Sequence, residues 1–379
     1  MKEIYLDAHA GTPVDANVID AMMPYFTHYF GSGNHRNGWQ ASQALEIARL
    51  EVAQLIGAYP GNILFTSGAT EAINIGLIGL AKLYPEKKHI ITQPTEHAAV
   101  LAVIKFLEKQ GYSISYVPVD SYGIIDTEVL EKSITPNTLC VAIMLANNEI
   151  GSVQPIEAIG KICKAADIKF FCDITQGAGW YPVNVDLQNI DLAVFSAHKI
   201  YGPKGIGALY YRGTIGSLQP VLHGGGQEKG VRPGTVNIPG AVGFAEACAL
   251  VKEQRTSITD HLLRLRNHLW HLLSTSLEEI SVNGSMEHRH PGNLNVRIKG
   301  ISSESLIGKL QNIMLSNSSA CSSGNTKASH VLTSLQLTEE QAKECVRIGI
   351  GKYNTLEEIE FTASKIIETV NKLRKSTNV

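Results

Sequence analysis

Residues 62–83 read NILFTSGATEAINIGLIGLAKL, and the change of pattern inside that stretch decides the fold. Asn62–Thr66 is a short run of large apolar residues, the pattern of a buried strand. Ser67-Gly68-Ala69-Thr70-Glu71 breaks the run with small polar residues, and Ala72 to about Leu83 continues as a helix of small and apolar residues. Strand, polar turn and helix together make the repeating unit of a mostly parallel sheet flanked by helices. The unit recurs outward from there. Strands are expected at His89–Thr92, Ile114–Val117, Cys140–Leu145, Ile168–Cys172, Leu192–Phe195 and Ile206–Tyr211. Gln40–Ile56 carries Leu45, Ala48, Val52 and Leu55 at helical spacing, and Pro155–Ala166 suits a crossover helix.

Near residue 240 the pattern changes. Ala241–Ser276 reads as one or two long helices, followed by a strand at Leu294–Ile298 and a short helix at Glu339–Glu344. A strand at Val346–Ile350 and a terminal helix at Thr355–Leu373 complete the chain. The expectation is an α/β protein with a large domain over 15–250 and a smaller α+β domain built from 1–14 and 251–379.

Length and charge narrow the function. At 379 residues the chain is long enough for two domains of about 150 residues or more each. Its 33 basic and 35 acidic residues give a net charge of −2, with no basic stripe of the kind that nucleic-acid binding requires. No apolar run approaches the roughly 18 residues of a membrane span, and the start Met-Lys-Glu-Ile-Tyr-Leu-Asp is no signal peptide. A cytoplasmic protein is expected. Cys140, Cys163, Cys172 and Cys248 lie in apolar or Ala-rich stretches and Cys345 precedes an apolar run, so all five read as core thiols. Cys321 differs: Ser318-Ser319-Ala320 precedes it and Ser322-Ser323-Gly324 follows, the composition of an accessible loop. No spacing suits structural zinc.

The polar residues fall at strand ends. Thr66–Thr70, His97, Asn147-Asn148-Glu149, Asp173 and Ser196-Ala197-His198-Lys199 all follow predicted strands. Ligands of open α/β sheets bind at those carboxyl ends. Ser67-Gly68-Ala69-Thr70 opens a helix, whose free N–H groups suit a phosphate. Asp173 ends an apolar strand; a buried carboxylate needs a partner, and a protonated ring nitrogen or a core arginine would each serve. Lys199, beside hydroxyl and imidazole groups and before a Gly/Pro turn, is either a solvated charge or an imine-forming amine.

Seven segments together carry a resemblance. They are Tyr5-Leu6-Asp7, Phe65–Glu71, Thr95-Glu96-His97, Asn147–Gly151, Ser196–Lys199 with Gly202-Pro203-Lys204-Gly205, Arg232-Pro233-Gly234-Thr235, and Ser319–Gly324. In this order, over almost the whole chain, they resemble the cysteine desulfurases of the NifS/IscS type, in the class V aminotransferase group of pyridoxal-phosphate enzymes with fold type I. The resemblance implies that Lys199 holds pyridoxal 5′-phosphate and later shuttles the substrate's Cα proton. It implies that Asp173 pairs with the ring nitrogen and that His97 stacks on the ring. Ala69, Thr70, Ser196 and His198 would hold the phosphate, with Thr235 donated by the second subunit of a homodimer. Gln176 and Asn148 would reach the cofactor's phenolic oxygen, Asn148 also the substrate, and Arg347 would clamp the substrate carboxylate. Cys321 would take the sulfur of L-cysteine as a persulfide and pass it to an acceptor such as an iron–sulfur scaffold, or into thiolation.

Two segments depart from the family's usual runs: Asp7-Ala8-His9-Ala10-Gly11-Thr12-Pro13, and Gly31-Ser32-Gly33-Asn34-His35-Arg36-Asn37-Gly38. Both normally lie by the active-site entrance, which makes substrate affinity, rate and partner docking the properties they would alter. The chain ends at Val379, close after its last predicted helix, so docking of a scaffold is expected to use another surface than a long C-terminal tail. Two other readings share the pattern: a selenocysteine lyase or other enzyme of the same group, and a sulfur-pathway binding protein without catalysis. Retention of Lys199, Asp173, His97 and Cys321 together weighs against the second.

Overall fold

The structure, a computed structural model, describes residues 3–31, 35–317 and 328–377. After a two-residue strand β1 (Ile4–Tyr5), seven strands build the main sheet: β2 (Ile63–Thr66), β3 (His89–Thr92), β4 (Ser113–Tyr116), β5 (Thr138–Ala142), β6 (Lys169–Asp173), β7 (Leu192–Ser196) and β8 (Gly207–Tyr211). Their spatial order is β2-β8-β7-β6-β5-β3-β4. The pairs among β3, β4, β5, β6 and β7 are parallel, and β8 alone runs antiparallel to its neighbours β7 and β2. The reason is local. A parallel return needs a crossover of a dozen or more residues, and the turn from Ser196 to Gly207 is too short for one.

Both faces of the sheet are covered, so its strands read as continuous apolar runs rather than alternating ones. Alternate residues divide between two cores. Phe65, Ile91, Val141, Phe170, Ala193 and Tyr210 face one side, with the helix Arg36–Leu55 and the first half of Ile238–Ser276. Leu64, Ile90, Ala142, Phe171, Val194 and Leu209 face the other, with the helices Ala69–Leu83 and Ala98–Lys109.

Element limits differ from the sequence reading in instructive ways. The strand expected at Cys140–Leu145 is assigned to Thr138–Ala142, yet the chain stays hydrogen-bonded to β6 through Ile143 N–H to Phe171 O (3.1 Å) and Leu145 N–H to Asp173 O (2.9 Å). The helix expected from Ala72 begins at Ala69, one turn earlier. Ala241–Ser276, read as one or two helices, is a single helix from Ile238 to Ser276 with Pro239 in its first turn, where a missing N–H costs nothing.

A second, antiparallel sheet has the order β12 (Ser316–Asn317), β13 (Cys345–Gly349), β10 (Asn293–Ile298) and β9 (Ile280–Val282). A third core fills the space between it, the second half of Ile238–Ser276 and the helix Leu356–Thr377, with Leu265, Leu269, Val346, Ile348 and Ile366 at its centre. Ile4 and Leu6 enter that core, β1 pairs with β11 (Ile313–Met314), and Asp7 bridges to Gly349. Among the described residues no helix is long and apolar enough to cross a membrane.

Candidate active site

The residues after Asp7 leave the second sheet and cross to the first. Ala8 N–H donates to Gly349 O, and four residues later Thr12 N–H donates to His198 O. The Thr12 hydroxyl donates to the same carbonyl at 3.0 Å and accepts from Tyr201 N–H at 2.8 Å. This N-terminal strap and the carboxyl edge of the main sheet enclose a cavity of about 580 Å³.

One end of the cavity is a helix start. Gly68, at φ 152°, a conformation costly for any residue with a Cβ, precedes Ala69–Leu83 without a side-chain cap. A Cβ on Gly207 would come within 2.7 Å of Gly68 Cα, so the β8 strand must be glycine where it backs this turn. Ala69 N–H donates to Ser196 Oγ at 2.7 Å, and Ser67, Thr70 and His198 stand on the cavity wall around it. The first-turn N–H groups of this helix, the hydroxyls of Ser67, Thr70 and Ser196, and the positive end of the helix dipole make an anion seat. Glu71 closes the turn by accepting from Ser67 N–H and holds Arg232 at 3.0 Å, which ties the Arg232–Thr235 stretch to this end. Thr235 itself is exposed and lies outside the cavity lining.

The middle of the cavity holds a carboxylate, an amine and an imidazole. Asp173, at the end of β6, is buried; its Oδ1 accepts from Thr175 N–H at 2.9 Å, and among the described residues it has no ion-pair partner. The core arginine that would have accounted for it is absent there. Lys199 is half-buried, its Nζ donating to the carbonyls of His9 and, at 2.9 Å, Ala10. His97 caps the helix Ala98–Lys109, with Nδ1 accepting from Ala99 N–H at 3.1 Å. Burial, helped by the Lys199 and His330 charges and opposed by Asp173, lowers its pKa. Burial with Lys199 and Lys204 nearby brings His198 down to about 4.

Asn148 and Gln176 also line the cavity, while Arg347 does not. Arg347 is fully buried behind it: its guanidinium pairs with Asp7 at 2.8 Å and donates to Asn148 O at 3.3 Å, and its Nε has no partner among the described residues. Cys321 lies outside the described residues, as does part of the 31–38 segment. The other five cysteines are free and buried; burial pushes Cys140 and Cys345 to about 12 and also raises Cys163, Cys172 and Cys248 well above the ordinary thiol value, which leaves them unreactive.

Two groups at this site escaped the sequence reading. His9 is buried in the cavity wall, hydrogen-bonded to Gln176, and burial together with Arg347 lowers its pKa to about 3. Glu96, behind His97, is buried with Oε1 accepting from Gln93 and from Met144 N–H and Oε2 without a partner among the described residues; burial raises it to about 8. Both stand in segments the sequence singles out, Asp7–Pro13 and Thr95–His97, but their burial depends on what packs over them and gives neither a role there.

Residues 4–361 match the aminotransferase class-V family. The chain is 44% identical over 377 residues to the cysteine desulfurase IscS of Rickettsia typhi, which covers 98% of this chain and 92% of that one. Among solved structures, a NifS-like protein superposes with a TM-score of 0.91 at 35% identity, over 97% of this chain and 99% of the other. SspA, solved in complex with cysteine, gives a TM-score of 0.81 at 34% identity, over 93% and 100%. By family match, full-length identity and fold, the chain belongs to the aminotransferase class-V family and stands among its NifS- and IscS-like members.

Proposed function

We propose that the protein is a cysteine desulfurase that uses pyridoxal 5′-phosphate at Lys199 to move the sulfur of L-cysteine onto Cys321. The observation that carries this reading is one cavity that presents an anion seat, a buried carboxylate with no ion-pair partner among the described residues, and an amine. Those three groups match a phosphate, a protonated ring nitrogen and an aldehyde, so the residues present fit the cofactor. When bound, it supplies an electron sink for charge developing at the substrate's Cα.

The chain's own residues do the rest. The Ser67–Thr70 turn with Ser196 and His198 takes the phosphate, and a neutral His198 does so as a donor. Asp173 would accept from the cofactor's ring nitrogen and keep it protonated. Lys199 Nζ, aimed by the His9 and Ala10 carbonyls, removes and returns the Cα proton. With Nδ1 of His97 accepting from Ala99, the proton of its neutral ring sits on Nε2, at the end free to face the ligand. Asn148 and Gln176 stand where the cofactor's oxygen and the substrate would lie. Arg347 takes the substrate carboxylate in exchange for Asp7. The Cys321 thiolate attacks the substrate sulfur; the C–S electron pair stays with carbon, which gains a proton, and L-alanine leaves with Cys321 as a persulfide. The protein works as a cytoplasmic homodimer in which Thr235 of one copy completes the phosphate seat of the other. The persulfide sulfur then goes to an acceptor protein of iron–sulfur cluster assembly.

The test is release of alanine from L-cysteine, with and without a reducing thiol, by wild type and Cys321→Ala. Alanine from wild type and almost none from a still-yellow Cys321→Ala is the expected result. Equal turnover by both would refute the role given to Cys321.

A further inference from the structure

His9 belongs to a run that departs from the family's usual one, and the structure gives it a specific place. Its carbonyl accepts from Lys199 Nζ and, at 3.0 Å, from Gln176 Nε2. Since that contact requires the Gln176 amide nitrogen as donor, Gln176 Oε1 is the atom that faces His9 Nδ1 at 3.2 Å. Nδ1 therefore carries the hydrogen, and Nε2 presents a lone pair, buried and without a donor among the described residues. The ring is clamped from its other side. His290 meets it edge-on at 4.5 Å between centroids, and Trp180 meets His290 at 4.8 Å. Trp180 Nε1 returns to Gln176 O at 2.5 Å. His9, Gln176, Trp180 and His290 form a closed loop of contacts with Lys199 hung on one member. A hollow of about 40 Å³ behind the cavity is lined by all five of these residues.

We propose that His9 is a positioning residue: its neutral Nδ1–H tautomer, locked by Gln176 and wedged on His290, fixes the carbonyl that aims Lys199. The inference rests on the desulfurase reading for its kinetic consequence but not for the tautomer. The low pKa of the ring agrees with it, since a neutral imidazole beside Lys199 and Arg347 adds no further positive charge. Glutamine at 176 then acts on Lys199 through His9 and does not need to touch it.

Three proteins test this: wild type, His9→Phe and His9→Asn. Phenylalanine keeps the ring stack and loses the donor; asparagine places an amide N–H near the position of Nδ1. In His9→Phe kcat falls about fivefold, the size of one lost hydrogen bond, with KM for L-cysteine unchanged. His9→Asn recovers most of that loss. The pH midpoint of the cofactor's visible band moves in His9→Phe and returns in His9→Asn, which a merely structural role would not produce. Nitrogen-15 spectra of histidine-labelled apoprotein, with His9→Asn assigning the signal, show the Nδ1–H form. Wild-type kcat and band midpoint in His9→Phe, or an Nε2–H form in the apoprotein, would overturn the proposal. A wild type that makes no alanine refutes the desulfurase reading instead, and the apoprotein tautomer then decides the case of His9 alone.

Discussion

The cavity has two walls made in different ways. The first is the carboxyl edge of the main sheet: Ser67–Thr70, Asp173 and Ser196–Lys199, each placed by the strand it follows. The second is assembled from a distance, with His9 and Ala10 on a strap that runs between two sheets and, buried behind them, Arg347 held by Asp7, 340 residues away in sequence. The first wall needs only a strand and a turn to present its groups. The second needs both sheets docked before any of its groups has a position. In the proposed reaction, one wall would set the chemistry and the other aim and ligand recognition.

The sharpest way to break that division is to remove the amine of the first wall. Lys199→Ala should lower alanine formation by roughly 10²–10⁴-fold, the range for a positioned proton-transfer group. A smaller loss, read by amino-acid analysis, would move the proton transfer to the second wall. Asp7→Asn probes that wall. It leaves the Arg347 guanidinium buried without its partner, so stability should fall by about 3–5 kcal/mol in urea titration. A loss below about 1 kcal/mol would show that Asp7 does not hold the strap.

Glu96 tests what lies behind the first wall. In the native protein it keeps its proton to about 8, against an ordinary value of 4.5 in the unfolded chain. Between those values the native state binds more protons, so its contribution is complete below 4.5 and is lost as pH rises through 8. His9 and His198, both held neutral, act in the opposite sense but only below about 6.5. Glu149, raised to about 7 by burial, acts in the same sense as Glu96, so stability should decline from pH 6.5 to 8.5, and Glu96→Gln should flatten the part of that decline above 7. An unchanged slope in the variant would place the titration elsewhere. The smallest effect is expected at Ser329, whose Oγ caps His330–Ser334 and donates to Glu149 behind Asn148. Ser329→Ala should cost about 1 kcal/mol and leave KM unchanged.

The same contrast explains what the sequence made legible. The main sheet could be read because most of its strands are buried apolar runs closed by a polar turn, as at Ile63–Thr66 and Leu192–Ser196, the edge strand Ser113–Tyr116 being more exposed. Asp173 stood out because a lone carboxylate ended such a run. The antiparallel β8 followed from loop length, and Gly207 from its contact with Gly68, neither of which an apolar pattern encodes. The short strands β9, β11 and β12 carry two or three residues each, too few for any period to show. His9 sits among Ala8, Ala10 and Gly11, small residues that give no hint of burial, and its tautomer depends on an amide 167 residues away. Arg347 lay in an expected strand, but its partner Asp7 could be found only once β1 and β13 were in one layer.

The central claim is that sulfur leaves L-cysteine in this cavity and arrives on Cys321. The most direct measurement is intact-peptide mass spectrometry of the protein after one brief exposure to L-cysteine, without added thiol. The account predicts a gain of one sulfur atom on the peptide containing Cys321, one per active site, absent in Lys199→Ala. Added sulfur on another cysteine, or none at all while alanine accumulates, would contradict it.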